Sequence, residues 1–277
     1  MIGATGENAT SPAAAPWSED LEQLHQESSR THFLDVWTRS AIVSRLPLRG
    51  EAPVIVDVGC STGYLLEDLR AEFPRARLCG LDFIHSGLRT AHATLPEVLL
   101  VQADAQRIPL APQIADAIVS ANLLEHVPDD VEALRQMHDV LKPGAWLVIV
   151  VPAGRRLYDY YDRFLHHQRR YGRHELASRA RAVGFDVVDD IYLGSIVYPA
   201  FWAVKKRNRL LRDHLVGEAL ESQVSADIAG TKDSTLGRLS TSLEQWLIAK
   251  SIKLNFGVRE LVVLRRRSAD PGPPERA

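Results

Sequence analysis

Three acidic residues, Asp57, Asp82 and Asp104, each stand at or just past the end of an aliphatic run, and Gly59 and Gly63 follow the first of them closely. A carboxylate in such a place can accept both hydroxyls of a ribose-like diol as a bidentate pair, or the exocyclic amino group of a base. A turn without Cβ atoms lets backbone lie directly against a ligand while the next helix starts. The spacing reads D-x-G-x-x-x-G. Ser61 stands two residues after Gly59, so the G-x-G-x-x-G of dinucleotide sites is not met, and the Gly-Lys-Ser/Thr ending of a phosphate loop is also missing. Each acid has a plainer role open to it. Asp82 can cap the helix that follows, and Asp104 can bond within its own turn.

A second group lies further along, Asn122, Leu123, Glu125 and His126, and a third in RRLYDYYDRFLHHQRRYGRHEL at 155–176. An imidazole that titrates near neutrality, His126, is a candidate general base, with His167 and Tyr161 as further candidates for proton handling. Glu125 and His126 can equally orient the loop and cap the next helix. Tyr158, His166, Arg169, Arg170 and Tyr171 have the donors of a pocket wall. An arginine pair there suits a carboxylate or phosphate, or it holds Asp159 or Asp162 in place. A solvated, aromatic-rich surface helix is the plainer reading of the stretch.

The elements that must position these groups alternate. Apolar runs at 54–58, 77–81, 97–101, 114–120 and 145–151 read as strands, the first and fifth buried on both faces. Helical periods lie between them at 64–73, 86–95 and 129–141, the last stopped by Lys142-Pro143-Gly144. That alternation requires a parallel sheet with right-handed crossovers, and ligands then meet at the carboxyl ends of the strands. Residues 17–50 read as N-terminal helices, 174–183 as a helix, 185–192 as a sixth strand and 258–264 as the last. Between the last two lies 194–257, in which an aromatic patch runs into a basic cluster, followed by a polar loop and an amphipathic helix. It reads either as a helical cap or homodimer contact, or as a peripheral membrane contact through 196–212, where Tyr198, Phe201 and Trp202 neighbour Lys205, Lys206, Arg207, Arg209 and Arg212.

Composition narrows the class. The chain has 277 residues, 45% hydrophobic and 25% charged, with a formal charge of −2, which gives no general attraction to nucleic acid or anionic surfaces. Two cysteines, Cys60 and Cys79, form no disulfide framework and suit a reducing compartment. No His or Cys spacing argues for a metal. No apolar stretch reaches the ~20 residues of a membrane span. The expectation is a cytoplasmic protein with a disordered leader at 1–16, a single domain at 17–267 and a disordered tail at 268–277. That domain divides into a lid at 17–50, a cofactor half at 53–152, an acceptor side at 153–193, a helical insertion at 194–257 and a last strand at 258–267.

The D-x-G-x-x-x-G turn, the acid after the second strand, the acid after the third and the ANLLEHVPDD stretch together resemble class I S-adenosylmethionine (SAM) dependent methyltransferases of the type 11/12 kind, strongest over 54–151. The resemblance implies an α/β, Rossmann-like seven-stranded sheet of order 3-2-1-4-5-7-6, with strand seven antiparallel and the helical insertion between strands six and seven. It implies SAM as cofactor: Asp57, Gly59, Cys60, Ser61 and Gly63 at the methionine end, and Asp82 with Phe83 at the ribose. Asp104 and the Ala105 backbone would meet the adenine, and Asn122 and Leu123 would border the methyl donor. His32-Phe33 matches part of a family stretch that precedes the turn, which makes Trp37 and Arg39 candidates for a cofactor lid. His167, Arg169, Arg170 and Tyr171 match an H-x-R-R-Y-like stretch on the acceptor side. No N-P-P-Y-type motif is present, so the expected acceptor is a small molecule, anionic or lipid-linked, attacked through oxygen or carbon. The alternatives are a protein of this fold that binds SAM as a regulatory subunit, or one that cleaves another sulfonium carbon.

Overall fold

The computed structural model describes residues 30–212, 214–215, 219–220, 222–224, 235–250 and 252–268. The expected leader, the helical pattern before residue 30, most of the polar loop at 225–237 and the tail from 269 lie outside them.

Strands β1 (Val54–Val58), β2 (Arg77–Asp82), β3 (Leu99–Gln102), β4 (Ala115–Ala121), β5 (Leu141–Pro152), β6 (Phe185–Leu193) and β7 (Arg259–Arg266) form one sheet in the order β3-β2-β1-β4-β5-β7-β6. The pairs from β3 across to β5 are parallel, and β7 runs antiparallel to both β5 and β6. Ile55, Val56, Leu147 to Val151 and Leu261 are buried, as continuous aliphatic strands covered on both faces require.

Each face has its own apolar layer. On one side α1 (Phe33–Val43), α2 (Tyr64–Glu72) and α3 (His85–Thr94) pack Leu34, Trp37, Ile42, Leu66, Leu69 and Leu88 against Ile55, Val148 and Leu261. On the other, α4 (Asp130–Val140) and α6 (Glu175–Val183) bring Leu134, Met137, Leu176 and Ala180 onto Val56, Ile149 and Val262. α4 starts where Asp129 accepts from the Glu132 N–H, and α6 ends at Gly184 in the left-handed region.

The fifth strand begins earlier than its apolar run suggests. Between Ala115↔Leu141 and Ala117↔Trp146 the pairing advances by 2 residues on β4 and 5 on β5, so Lys142-Pro143-Gly144 forms a bulge inside the strand. Lys142 Nζ is fixed there to Asp116 Oδ1 at 2.6 Å. The segment after β5 is a short 3₁₀ turn (Arg155–Leu157), the five-residue α5 (Tyr160–Phe164) and a loop bridged to Ala153 through Tyr171.

The insertion holds α7 (Tyr198–Arg212) and α8 (Thr235–Ala249), both docked by buried polar contacts. Glu244 of α8 accepts from Ser195 and Ile196 N–H, and α8 approaches α1 so closely that a Cβ on Gly237 would stand 2.6 Å from the Phe33 ring. Lys205, expected among the outward basic residues of 196–212, points inward at 5% exposure and reaches Asp159 Oδ1 at 2.6 Å. Its neighbours Trp202, Lys206, Arg207 and Arg209 remain exposed.

Candidate active site

The turn after β1 is tied to the end of β2. Gly59 and Cys60 N–H donate to Leu81 O, Ser61 N–H donates to Asp82 Oδ2 at 2.8 Å, and Ile84 N–H donates to Asp82 Oδ1 at 2.8 Å. Each oxygen of the half-buried Asp82 carboxylate thus accepts a backbone N–H, which fixes the carboxylate at the edge of the turn. Gly59 (φ +84°) and Gly63 (φ +87°) need to be glycine on two counts: the left-handed backbone, and the neighbours a Cβ would meet, Leu123 at 3.1 Å and Ala91 at 3.0 Å. Ser61 (φ 47°) and Asn122 (φ 52°) hold left-handed conformations without being glycine, at the turns that follow β1 and β4.

Asp57 lies beneath this turn at 1% exposure, and neither carboxylate oxygen has a hydrogen-bond partner. Burial, and secondarily the charge of Asp82, push its pKa up to about 8. A buried acceptor with nothing bonded to it asks for a donor from outside the chain. The cationic amino group of an amino-acid-bearing nucleoside is such a donor, so the cradle fits SAM. Asp104 is exposed and already accepts from the Gln106 backbone at 2.8 Å, which keeps the Ala105 backbone at the same edge. Phe83 is 38% exposed beside Asp82.

Other residues expected to touch cofactor have different surroundings. Trp37 is in the core, packed with α2 and β1, because the apolar period of α1 turns it inward. Arg39 pairs with Asp68 on α2 at 2.7 Å and lies over the Tyr64 ring. Cys60 contributes its backbone to the turn while its thiol is buried.

On the acceptor side His126 and His167 meet edge to face, centroids 4.7 Å apart. His167 Nδ1 lies 2.8 Å from Asp162 Oδ1, and burial lowers the pKa of the ring. Asp162 is held well below the usual carboxylate range by its hydrogen bond from His167 and by Arg170 and Lys205, against the opposing effect of burial. Tyr161, under Lys205, has its phenol pushed far up by burial, which suits a donor rather than a base. Tyr158 O–H donates to His167 O.

The expected anion grip divides. Arg170 is 7% exposed and turned inward, with Nε 2.6 Å from Asp162, and Tyr171 is 1% exposed with its O–H on Asp130. Both are interior ties, because Asp162 and Asp130 are buried and need counter-charges. His166 is exposed at φ 54°. Arg155, Arg169, Arg170 and Arg179, with Tyr158 and Glu175, line a cleft of about 290 Å³. In the sequence Arg155 opens the 155–176 stretch without a role assigned to it and Arg179 lies outside that stretch, though the place of Arg155 just after β5 is a usable signal. Glu125, read there only as an orienting or capping residue, is the other addition. It is 1% exposed, with burial pushing its pKa up to about 8.

This strand order, with an acid-bearing glycine turn after β1, defines the class I methyltransferase fold, whose members use SAM. Residues 56–149 match the family described as a methyltransferase domain, which together with the strand order supports a class I SAM-dependent methyltransferase. Among curated relatives, a trans-aconitate 2-methyltransferase of Azoarcus sp. (strain BH72) is 35% identical over 123 residues, 43% of this chain and 47% of that protein. The chain thus spans about half the length of the curated relatives it matches. Among solved structures, phosphoethanolamine N-methyltransferase 2 of Haemonchus contortus in complex with SAM superposes with TM-score 0.62 at 14% identity, over 91% of this chain and 58% of that one. The [4+2]-cyclase SpnF superposes with TM-score 0.57 at 18% identity, over 84% and 80%. At these identities the structures share a fold. Among the described residues no helix is long and apolar enough to cross a membrane.

Proposed function

We propose that this chain transfers the methyl group of SAM to a small anionic acceptor, through an oxygen or carbon nucleophile. The observation that carries the reading is the cradle, in which the buried, unpartnered carboxylate of Asp57 lies under a glycine turn that Asp82 pins from the neighbouring strand. Bound SAM supplies a sulfonium methyl already activated for displacement, so the protein's work is alignment and proton removal. Asp57 would hold the amino group of the methionine part, Asp82 the ribose hydroxyls, and Asp104 with the Ala105 backbone the adenine edge. Leu123, which contacts the Gly59 position, would border the methyl donor.

The acceptor class rests on the cleft lined by Arg155, Arg169 and Arg179, each paired on one side with Glu175 or Asp130 and each a forked donor of the kind that matches carboxylate or phosphate. A relative named for trans-aconitate, a polycarboxylate, agrees with that chemistry. Acceptor deprotonation falls to the His126–His167 corner, because Tyr161 keeps its proton.

Calorimetric titration with SAM, S-adenosylhomocysteine and NADH tests the cofactor. Micromolar binding of the first two and none of NADH is expected. A panel of small carboxylates and phosphates with SAM, followed by mass spectrometry, tests the reaction: a methylated acid together with S-adenosylhomocysteine is expected, and turnover of neutral acceptors alone would refute the acceptor class.

A further inference from the structure

Glu125 has no counter-charge of its own. It is 1% exposed, and neither carboxylate oxygen has a hydrogen-bond partner. The two arginines whose charge reaches it, Arg259 and Arg170, are committed elsewhere: Arg259 to Asp35 and the Thr38 hydroxyl, Arg170 to Asp162. A carboxylate so placed is costly unless a proton or a cation joins it.

Its neighbours supply the rest of a donor set. One ligand atom from each of Glu125, His126 and His167 lies within 4.8 Å of the other two. Three atoms no further apart than that share a point about 2.8 Å or less from all of them, so a contraction of roughly 0.7 Å reaches the ~2.1 Å of a nitrogen or carboxylate bond to a transition ion. The orientation of His167 suits this. Asp162, paired with Arg170 and Lys205, accepts a hydrogen bond from Nδ1–H, which turns the lone pair of Nε2 to the binding side, the outer carboxylate arrangement that steadies metal-bound histidines.

We propose that Glu125, His126 and His167 bind one divalent first-row transition ion of the zinc, cobalt or manganese kind. Two imidazoles and one carboxylate favour these ions over magnesium and calcium, and three protein donors leave positions open for another ligand. Glu125 and His126 come from the loop between β4 and α4, His167 from the loop after α5, so the ion joins the two walls of the acceptor side. Its open positions suit an acceptor oxygen, whose proton a bound ion would acidify, so that the His126–His167 corner would act through the ion rather than as a free base; that last point rests on the methyl-transfer reading, while ion binding is measured without turnover. Among the described residues the other gathering of this kind, His174, Asp190 and Glu260, offers a single nitrogen donor residue, whose Nδ1 is already 2.6 Å from Asp190.

The test is titration of the metal-stripped protein with Co²⁺, followed by visible absorption and calorimetry, in wild type and in Glu125→Gln, His167→Gln and Glu260→Gln, each checked for folding by circular dichroism. Expected is one Co²⁺ per chain with ligand-field bands, weakened at least about 10-fold by either substitution at Glu125 or His167 and unchanged by Glu260→Gln. Two histidine-and-carboxylate substitutions are included so that failure of one to fold leaves the other decisive. No binding at 100-fold excess over the chain, binding unaffected by both Glu125→Gln and His167→Gln, or binding lost only with Glu260→Gln would each overturn the proposal. SAM affinity measured in parallel separates this failure from failure of the methyltransferase reading.

Discussion

Replacing Asp57 by Asn tests the cradle most directly. The change keeps shape and removes charge at a site where the carboxylate is 1% exposed and has no hydrogen-bond partner within the chain. A hydrogen bond to a charged group contributes about 1.5–3 kcal/mol, so SAM and S-adenosylhomocysteine, which share the amino acid, should both bind roughly 10- to 150-fold more weakly. Adenosine, which lacks it, should bind within about twofold of wild type. The protons give a second readout. With its pKa raised to about 8, Asp57 is neutral in the free protein at pH 6.5, whereas an ammonium partner favours the ionised carboxylate. Binding must then release a proton below pH 8. A ligand α-amino group titrates at about 7.7–8.0, so above that range the same complex takes a proton up. Calorimetry in phosphate and Tris at pH 6.5 and 8.5 separates the two signs, and Asp57→Asn should release nothing at pH 6.5. Wild type releasing no proton at pH 6.5, or a variant that holds SAM as tightly as wild type, would refute the reasoning.

Asp82→Ala should remove measurable SAM binding, since it deletes the diol acceptor and also frees the Ser61 N–H that shapes the turn; unchanged affinity by calorimetry would sink the ribose assignment. Lys205→Met should destabilise the fold by about 3–5 kcal/mol, because it strips counter-charge from buried Asp159 and Asp162; chemical denaturation measures it, and Lys206→Met on the exposed side should change stability by less than about 0.5 kcal/mol. Glu260 is fully buried, and burial with the neighbouring Asp190 charge raises its pKa to about 9. An acid whose folded pKa is raised costs nothing below its unfolded value near 4.5 and costs progressively more as pH climbs toward 9. Glu260→Gln should therefore melt like wild type at pH 4.5 and above it at pH 9, by roughly 1–3 kcal/mol; a gap that does not widen with pH would contradict the assignment.

The sequence by itself determined the strands, their parallel alternation and the glycine turn with its acids. These are local signals: an apolar run of strand length, a turn that only glycine tolerates, an acid at a fixed interval. The resemblance to the methyltransferase class then supplied the strand order that the tertiary structure shows, including antiparallel β7. Local pattern misjudged the start of β5, because Lys142-Pro143-Gly144 ends a helix in any context, and only pairing with β4 makes it a bulge. The acceptor side was a matter for the tertiary structure. Tyr158, Arg169 and Arg170 reach the cleft as their types suggest, yet Arg170 and Tyr171 turn inward to neutralise Asp162 and Asp130, acids whose burial no local pattern reveals. Glu125 and His126 meet His167 from far along the chain, and Lys205 reaches Asp159 at a sequence separation of 46. Which charges end up together inside depends on which segments the fold stacks, and periodicity along the chain carries no record of that choice.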